Sequence, residues 1–247
     1  MITFSVLTLF PDFIESFFQT SVIKKGYDKK AFNYKIKYIR DNAINKYGQV
    51  DDAPYGGGAG MLLRPEPVVE AFESLQLPEE GRKVIFFSPK GRKIDHEYII
   101  NLTNYQNIVL LCGHYEGVDQ RVIDSIVDDQ LSIGDFVLTG GEIPAMALID
   151  AVARQLDGVI KTHSLQDESF SHGLLEHRQY TRPVVYRGMT VPAVLTSGNH
   201  KEIELFRTTD SIRETMKYRS DLLENNKDEN ISKLINIIKR ELNDVNN

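Results

Sequence analysis

A chain of 247 residues with 41% hydrophobic and 26% charged side chains has the make-up of an ordinary globular protein, enough for one large domain or two small ones. Its single cysteine, Cys112, excludes a disulfide frame and a thiolate metal cluster, and no run approaches 18 uninterrupted apolar residues, so no membrane-spanning helix is expected. A net charge of −6 argues against a nucleic-acid binder that works by charge over its whole surface.

From the amino terminus, "ITFSVLTL" reads as a strand. It lacks the basic start and small-residue cleavage site of a signal peptide, so a cytoplasmic protein is expected. Asp12 with Glu15 three residues on resembles a capping box, opening a helix that ends at Gly26. "NYKIKYIR" alternates polar and apolar residues, as a half-buried strand does. Three further units share one design. "KVIFFS" leads through "PKGRK" to a helix from about Asp95, and "NIVLLC" leads through "GHYEGVD" to a helix over "QRVIDSIVDD". "SIGDFVLTGGE" leads to a helix over "IPAMALIDAVARQL". Strands alternating with helices predict an α/β fold with a mostly parallel sheet, whose ligands lie beyond the carboxyl ends of the strands.

Residues 161–173, "KTHSLQDESFSHG", lose hydrophobic periodicity and read as a linker or mobile loop between a first domain, 1–160, and a second, 174–247. Beyond it, Asn199 with Glu202 and Ser211 with Glu214 look like helix starts. Ile231, Leu234, Ile235, Ile238 and Leu242 form one apolar stripe on a last helix, so a small all-helical second domain is expected. Residues 178–219 carry 8 basic against 4 acidic side chains, with Tyr180, Tyr186 and Tyr218 interleaved. Such a local surface could meet a folded RNA on an otherwise acidic protein, although a merely solvated helical face has the same composition.

The glycine-rich loops need an explanation. "GGGAGM" at 56–61 fails the last position of the dinucleotide fingerprint, and neither a phosphate-binding G-x-x-x-x-G-K-[ST] loop nor a G-x-S-x-G elbow occurs. The histidines at 96, 114, 163, 172, 177 and 200 show no metal-like spacing, so no metal site is predicted. Glycine at 134, 140 and 141 implies that something approaches the main chain closely or needs an unusual dihedral. An adenosine-type ligand wrapped by backbone fits that pattern.

Five stretches, "PYGGGAGM", "LCGHYEGVDQRVID", "SIGDFVLTGGEIPAMALIDAVAR", "GLLEHRQYTRP" and "VPAVLTSGNH", closely resemble the bacterial tRNA (guanine-N1)-methyltransferases of the knotted SPOUT class. The likeness runs in order from the amino terminus to about residue 220. It implies a deep trefoil knot in the first domain and tRNA binding by the second. It also implies a homodimer with shared active sites, and methylation of N1 of guanosine 37, beside the anticodon, by S-adenosyl-L-methionine. The family's adenosylmethionine contacts map to Phe86, Ser88, Pro89, Gly113, Tyr115, Gly117, Ile133, Gly134, Asp135, Phe136, Val137, Leu138, Gly140 and Gly141. Ile133, Val137 and Leu138 would serve equally as core.

In that chemistry the sulfonium already activates the methyl group, and guanine N1 must lose a proton to become nucleophilic. A carboxylate in reach takes the proton, and a guanidinium near O6 stabilises the charge that develops. Arg154 matches the family arginine, and Glu116 is expected at the edge of the target guanine. The family reads Asp-Ser-Phe in the linker, with the aspartate as base. This chain reads "QDESFSHG", so Glu168 takes the aligned place and Asp167 precedes it. The resemblance also suggests an assisting magnesium ion. Two other readings are a ribose 2′-O-methyltransferase of the same class and a non-catalytic RNA-binding module.

Overall fold

The apolar runs become the strands of one parallel sheet. β1 (Ile2–Thr8) lies between β2 (Phe32–Tyr38) and β6 (Asn107–Leu111), while β5 (Arg82–Lys93) lies between β6 and β7 (Asp129–Ser132). All four pairings are parallel, in the order β2-β1-β6-β5-β7. A short antiparallel pair, β3 (Asp51–Asp52) with β4 (Leu62–Leu63), stands apart. This computed structural model describes residues 1–161, 168–224 and 228–245, with the side chains of these as far as residue 240 except that of residue 229. It divides into two compact units, Met1–Lys161 and Thr162–Asn247.

Strand alternation sends side chains to both faces, and helices cover each. Phe4, Val6, Ile85, Ile108 and Leu110 pack with Ile14 and Phe18 of α1 (Pro11–Phe18), Ile23 of α2 (Ser21–Asp28) and Ile99 of α4 (His96–Leu102). Leu148 and Val152 of α6 (Glu142–Ala153) complete that layer. On the opposite face Leu7, Val84, Phe86, Val109 and Leu111 meet Val68 and Ala71 of α3 (Pro65–Glu73), with Val122 and Ile123 of α5 (Gln120–Ile126). Each fully buried Leu, Ile or Phe contributes about 1.5–3 kcal/mol. The inner strands therefore read as continuous apolar runs, and the polar loops fall at their carboxyl ends.

β5 is unusual. Phe87 and Arg92 both pair with Leu131, so residues 88–91 leave the ladder and rejoin it along β7. Gly91 is where the two backbones touch: a Cβ there would stand 2.5 Å from the Leu131 backbone N and C. Three polar ties hold β7 in place. Asp129 accepts from the Tyr98 hydroxyl at 2.6 Å and pairs with Lys83 at 2.9 Å, and Asp128 accepts from the Val84 N–H at 2.6 Å. Burial works against the Asp129 charge, but the Tyr98 and Lys83 hydrogen bonds outweigh it and hold the carboxyl below its usual range.

Several elements differ from the sequence reading. The helix expected from Asp12 to Gly26 is two helices, broken at Gln19–Thr20, and the first starts on Pro11 with no side-chain cap. Pro11 supplies its own helical φ at that position. Gly26 lies inside α2, where Phe32 and Val159 come within 3.1 Å of a would-be Cβ. The third unit's strand is Asp129–Ser132, whereas α5 stops at Ile126. Residues 133–141 form a loop in which Phe136 and Val137 are exposed.

In the second unit, the helix His200–Tyr218 runs through Ser211, whose hydroxyl donates to the Leu175 carbonyl instead of starting a helix. The unit is not all-helical, because Val185–Tyr186 and Met189–Thr190 form a short hairpin. Leu174, Ile212 and Ile238 make its core, with Ile231, Leu234 and Ile235 of the expected stripe packed on it. The Leu242 side chain lies outside the described residues. Among the described residues no helix is long and apolar enough to cross a membrane.

Candidate active site

Where β5 bulges out of the ladder and beyond the carboxyl ends of β6 and β7, three segments line a cavity of about 390 Å³, within the usual range of a small-molecule site. Residues 86–90, 113–118 and 130–141 supply nearly all of its wall, with Gln120 and Ile123 from α5 and Pro144 from α6. The sheet topology places it, since adjacent parallel strands release their loops on one edge.

Close packing of these loops explains the glycine pair. The Gly141 N–H donates to the Gly113 carbonyl at 2.9 Å, and a Cβ on Gly141 would stand 2.7 Å from Cys112 Cα and 3.0 Å from Gly113 N. Those are main-chain atoms that cannot swing aside. Cys112 itself is inert: full burial, and secondarily the charge of Glu142, push its thiol pKa well up.

Phe86, Ser88, Pro89, Gly113, Tyr115, Gly117, Ile133, Gly134, Phe136, Val137, Leu138, Gly140 and Gly141 all line the cavity, and so does Glu116. Asp135 does not; its carboxylate turns to Lys93 at 2.6 Å and is largely exposed. Of the three apolar residues that could equally have been core, Val137 is 82% exposed and Leu138 is not among the buried residues. The Glu116 backbone is fixed by its N–H to the Met61 carbonyl, 3.0 Å, and its side chain lies over Gly60 of the glycine-rich loop.

Arg154 is not in this cavity. It caps the carboxyl end of α6, with its N–H on the Asp150 carbonyl at 3.1 Å, whereas the cavity lies at the amino end. The twelve residues of α6 span about 18 Å. Glu168 belongs to the second unit, in a turn where its carbonyl accepts from the Ser171 N–H at 3.2 Å. Asp167 lies outside the described residues. His114, Gln130 and Thr139 also line the cavity and escaped the sequence reading. For His114 and Thr139 a signal existed, because both sit inside glycine-rich loops; for Gln130, within a strand, none did.

In the second unit Tyr180, Tyr186 and Tyr218 are exposed, and Arg187 and Lys217 lie over the rings of Tyr186 and Tyr218 at 5.3 and 4.7 Å. Arg178 is committed elsewhere: its guanidinium and backbone N–H both donate to fully buried Asp210. Burial works against the Asp210 charge, and the Arg178 bonds more than offset it, so the carboxyl titrates below its usual range. No group of three or more His, Cys, Asp or Glu side chains is gathered to hold a metal among the described residues.

Comparison with known proteins agrees with this architecture. Residues 2–225 match the family model described as tRNA (Guanine-1)-methyltransferase TrmD. A tRNA (guanine-N(1)-)-methyltransferase of Alkaliphilus oremlandii is 49% identical over 225 residues, covering 88% of this chain and 90% of that protein. Proteins of the same name from Dehalococcoides mccartyi and Bacillus cereus are 48% and 45% identical, each over 221 residues and 89% of this chain, with 89% and 91% of the relatives covered.

Proposed function

The chain belongs to the tRNA (guanine-1)-methyltransferase family, and on that premise we propose that it transfers a methyl group from S-adenosyl-L-methionine to N1 of guanosine 37 in tRNA. One observation carries the cofactor reading: a cavity of about 390 Å³ walled by backbone at Gly113, Gly140 and Gly141, where side chains would collide. With the Gly141 N–H taken by the Gly113 carbonyl, the remaining main-chain N–H and C=O groups of such a wall are left for an adenine and a ribose, as backbone recognition of a nucleoside requires. Bound there, adenosylmethionine supplies an electrophilic methyl group.

The chain's own work is then to place the guanine and move one proton. Glu116, on the cavity wall, faces the edge of the base. Glu168 takes the N1 proton, with Asp167 beside it in sequence, and Arg154 stabilises the charge developing at O6. Arg154 stands about 18 Å along α6 from its own chain's glycine loops. That separation supports a homodimer in which one chain's cavity meets the partner's arginine. It favours an enzyme built by two chains over a stand-alone RNA-binding module. The close crossing of Gly91 over Leu131 supports a knotted path for residues 82–132. The second unit, with its exposed tyrosines and cations, takes the tRNA. We derive no step through magnesium, since the described side chains gather no ligand set for it.

The test is methyl transfer to a tRNA transcript carrying guanosine 37, against one in which only that base is changed. Incorporation into the first alone, at the base and not the ribose, is expected. Equal incorporation into both, or methyl recovered on a 2′ oxygen, would exclude the proposal.

A further inference from the structure

His114 and Glu142 come from different loops and meet behind the cavity wall. Glu142, the first residue of α6, is almost fully buried, and the Thr8 hydroxyl donates to its Oε1 at 2.7 Å. Its Oε2 lies on the side of Gly140. The His114 Nδ1 atom is buried and has no hydrogen-bond partner among the described residues. Its ring is held edge-on by Phe10 at 5.0 Å and Tyr115 at 5.1 Å. The two polar atoms share one space: His114 Nδ1 is 2.9 Å from the point a Gly140 Cβ would occupy, and Glu142 Oε2 is closer still to that point. Glycine at 140 thus keeps open the gap between a buried carboxylate oxygen and a buried imidazole nitrogen.

We propose that Glu142 is a positioning residue for the cofactor site: its Oε2 accepts the Nδ1–H of His114 and thereby fixes the imidazole tautomer that faces the cavity. The inference rests on the reading that this cavity holds adenosylmethionine. An ionised carboxylate only accepts, so the nitrogen beside it must be the protonated one. Leaving the His114 Nδ1 atom unpaired in a buried place is costlier than the small ring rotation, within its rotamer well, that closes the bond. The bond made by one ring nitrogen decides the state of the other, so Nε2 becomes a lone-pair acceptor. The His114 ring lines the cavity. A ligand carrying sulfonium and ammonium charges is favoured by a lone pair there and disfavoured by an N–H. Thr8 contributes at one remove, by orienting Glu142 so that its second oxygen faces His114.

Imidazole nitrogen spectra of the full-length ¹⁵N-labelled protein test this directly, with the His114 signals identified by their loss in His114→Phe. The expected wild-type form is Nδ1–H. In Glu142→Gln the side-chain amide donates to Nδ1 while still accepting from Thr8, so His114 should switch to Nε2–H. A wild-type His114 in the Nε2–H form overturns the proposal, and this result needs no Glu142 variant to fold. Calorimetry supplies the functional arm. Glu142→Gln should weaken adenosylmethionine binding about 5- to 20-fold, the range of one hydrogen bond, but change it less than about twofold in the His114→Phe background. An equal loss in both backgrounds would mean Glu142 acts without His114. Failure of the wild type to bind adenosylmethionine at all would remove the cavity reading instead, and the tautomer result would still decide whether the pair exists.

Discussion

Two variants, each inactive alone, distinguish a site shared between chains from one built within a single chain. The first is Gly141→Val, whose Cβ would stand 2.7 Å from Cys112 Cα and 3.0 Å from Gly113 N. Overpacking against backbone costs about 1–3 kcal/mol, and straining the Gly141 N–H bond to the Gly113 carbonyl adds about 1 kcal/mol. If the loop relaxes away from Cys112 and Gly113 in the free protein and must return to the wild-type path to hold the cofactor, that cost falls on binding and predicts a loss of roughly 30- to 1,000-fold in adenosylmethionine affinity. The second is Arg154→Ala, at the far end of α6, about 18 Å from those loops. Neither change reaches the other's position in the same chain. If the arginine serves the partner's cavity, a mixed dimer has one site with intact glycine loops and an intact arginine. With random exchange about half the molecules are mixed, each with one working site of two, so activity should recover to about one quarter of wild type. Tritiated methyl incorporation into tRNA, measured after mixing or co-expression, reads this out. Recovery no greater than the sum of the separate variants would refute the shared site and place Arg154 in the service of its own chain. Gly56→Ala is the control for local backbone strain: its φ of +83° disfavours a side chain although open space surrounds it, and it does not line the cavity; it should bind adenosylmethionine as wild type does.

Glu168→Gln keeps shape but removes the proton acceptor, so single-turnover methyl transfer should fall about 10²- to 10⁴-fold while both substrate affinities stay unchanged. Asp167→Asn should cost much less, and the reverse order of effects would move the base to Asp167. In the second unit, Arg178→Ala strands a fully buried carboxylate and should destabilise by about 3–5 kcal/mol, whereas Asp210→Asn leaves a partly exposed guanidinium and should cost less. Because the folded Asp210 titrates below its unfolded value, its contribution is full above about pH 4 and is lost as pH falls through the folded pKa. Denaturant melts of Arg178→Ala should show the acid transition moving to higher pH, since the backbone N–H of residue 178 still donates to Asp210 but the guanidinium no longer offsets its burial; an unmoved transition would count against the pairing.

The α/β class was legible because inner parallel strands are buried on both faces. "KVIFFS" and "NIVLLC" could hardly be anything but strands of such a sheet, and glycine after each marked the edge where the cavity lies. Segment ends were less legible. "VIDSIVDDQLS" is apolar enough for one long helix, and what divides it is the tie of Asp128 and Asp129 to Val84, Lys83 and Tyr98, partners far away in the chain. Ile133, Val137 and Leu138 could be read as core because hydrophobicity alone does not say whether a wall faces a core or a cavity.

The sequence by itself determined the kind of sheet, the loops that wall its cavity and, through long ordered motifs, the family. These follow from local pattern, which the chain carries wherever it folds. Tertiary structure alone decided which groups meet. Gly91 lies against Leu131, Gly141 against Cys112, Glu142 against Thr8 and beside His114, and Arg178 is withdrawn from the basic surface by Asp210. It also put Arg154 a full helix away from the loops it was expected to serve. Contacts between residues 28 to 134 positions apart have no local signature: they are fixed by the order in which strands pair, and that order is set only when the whole core packs.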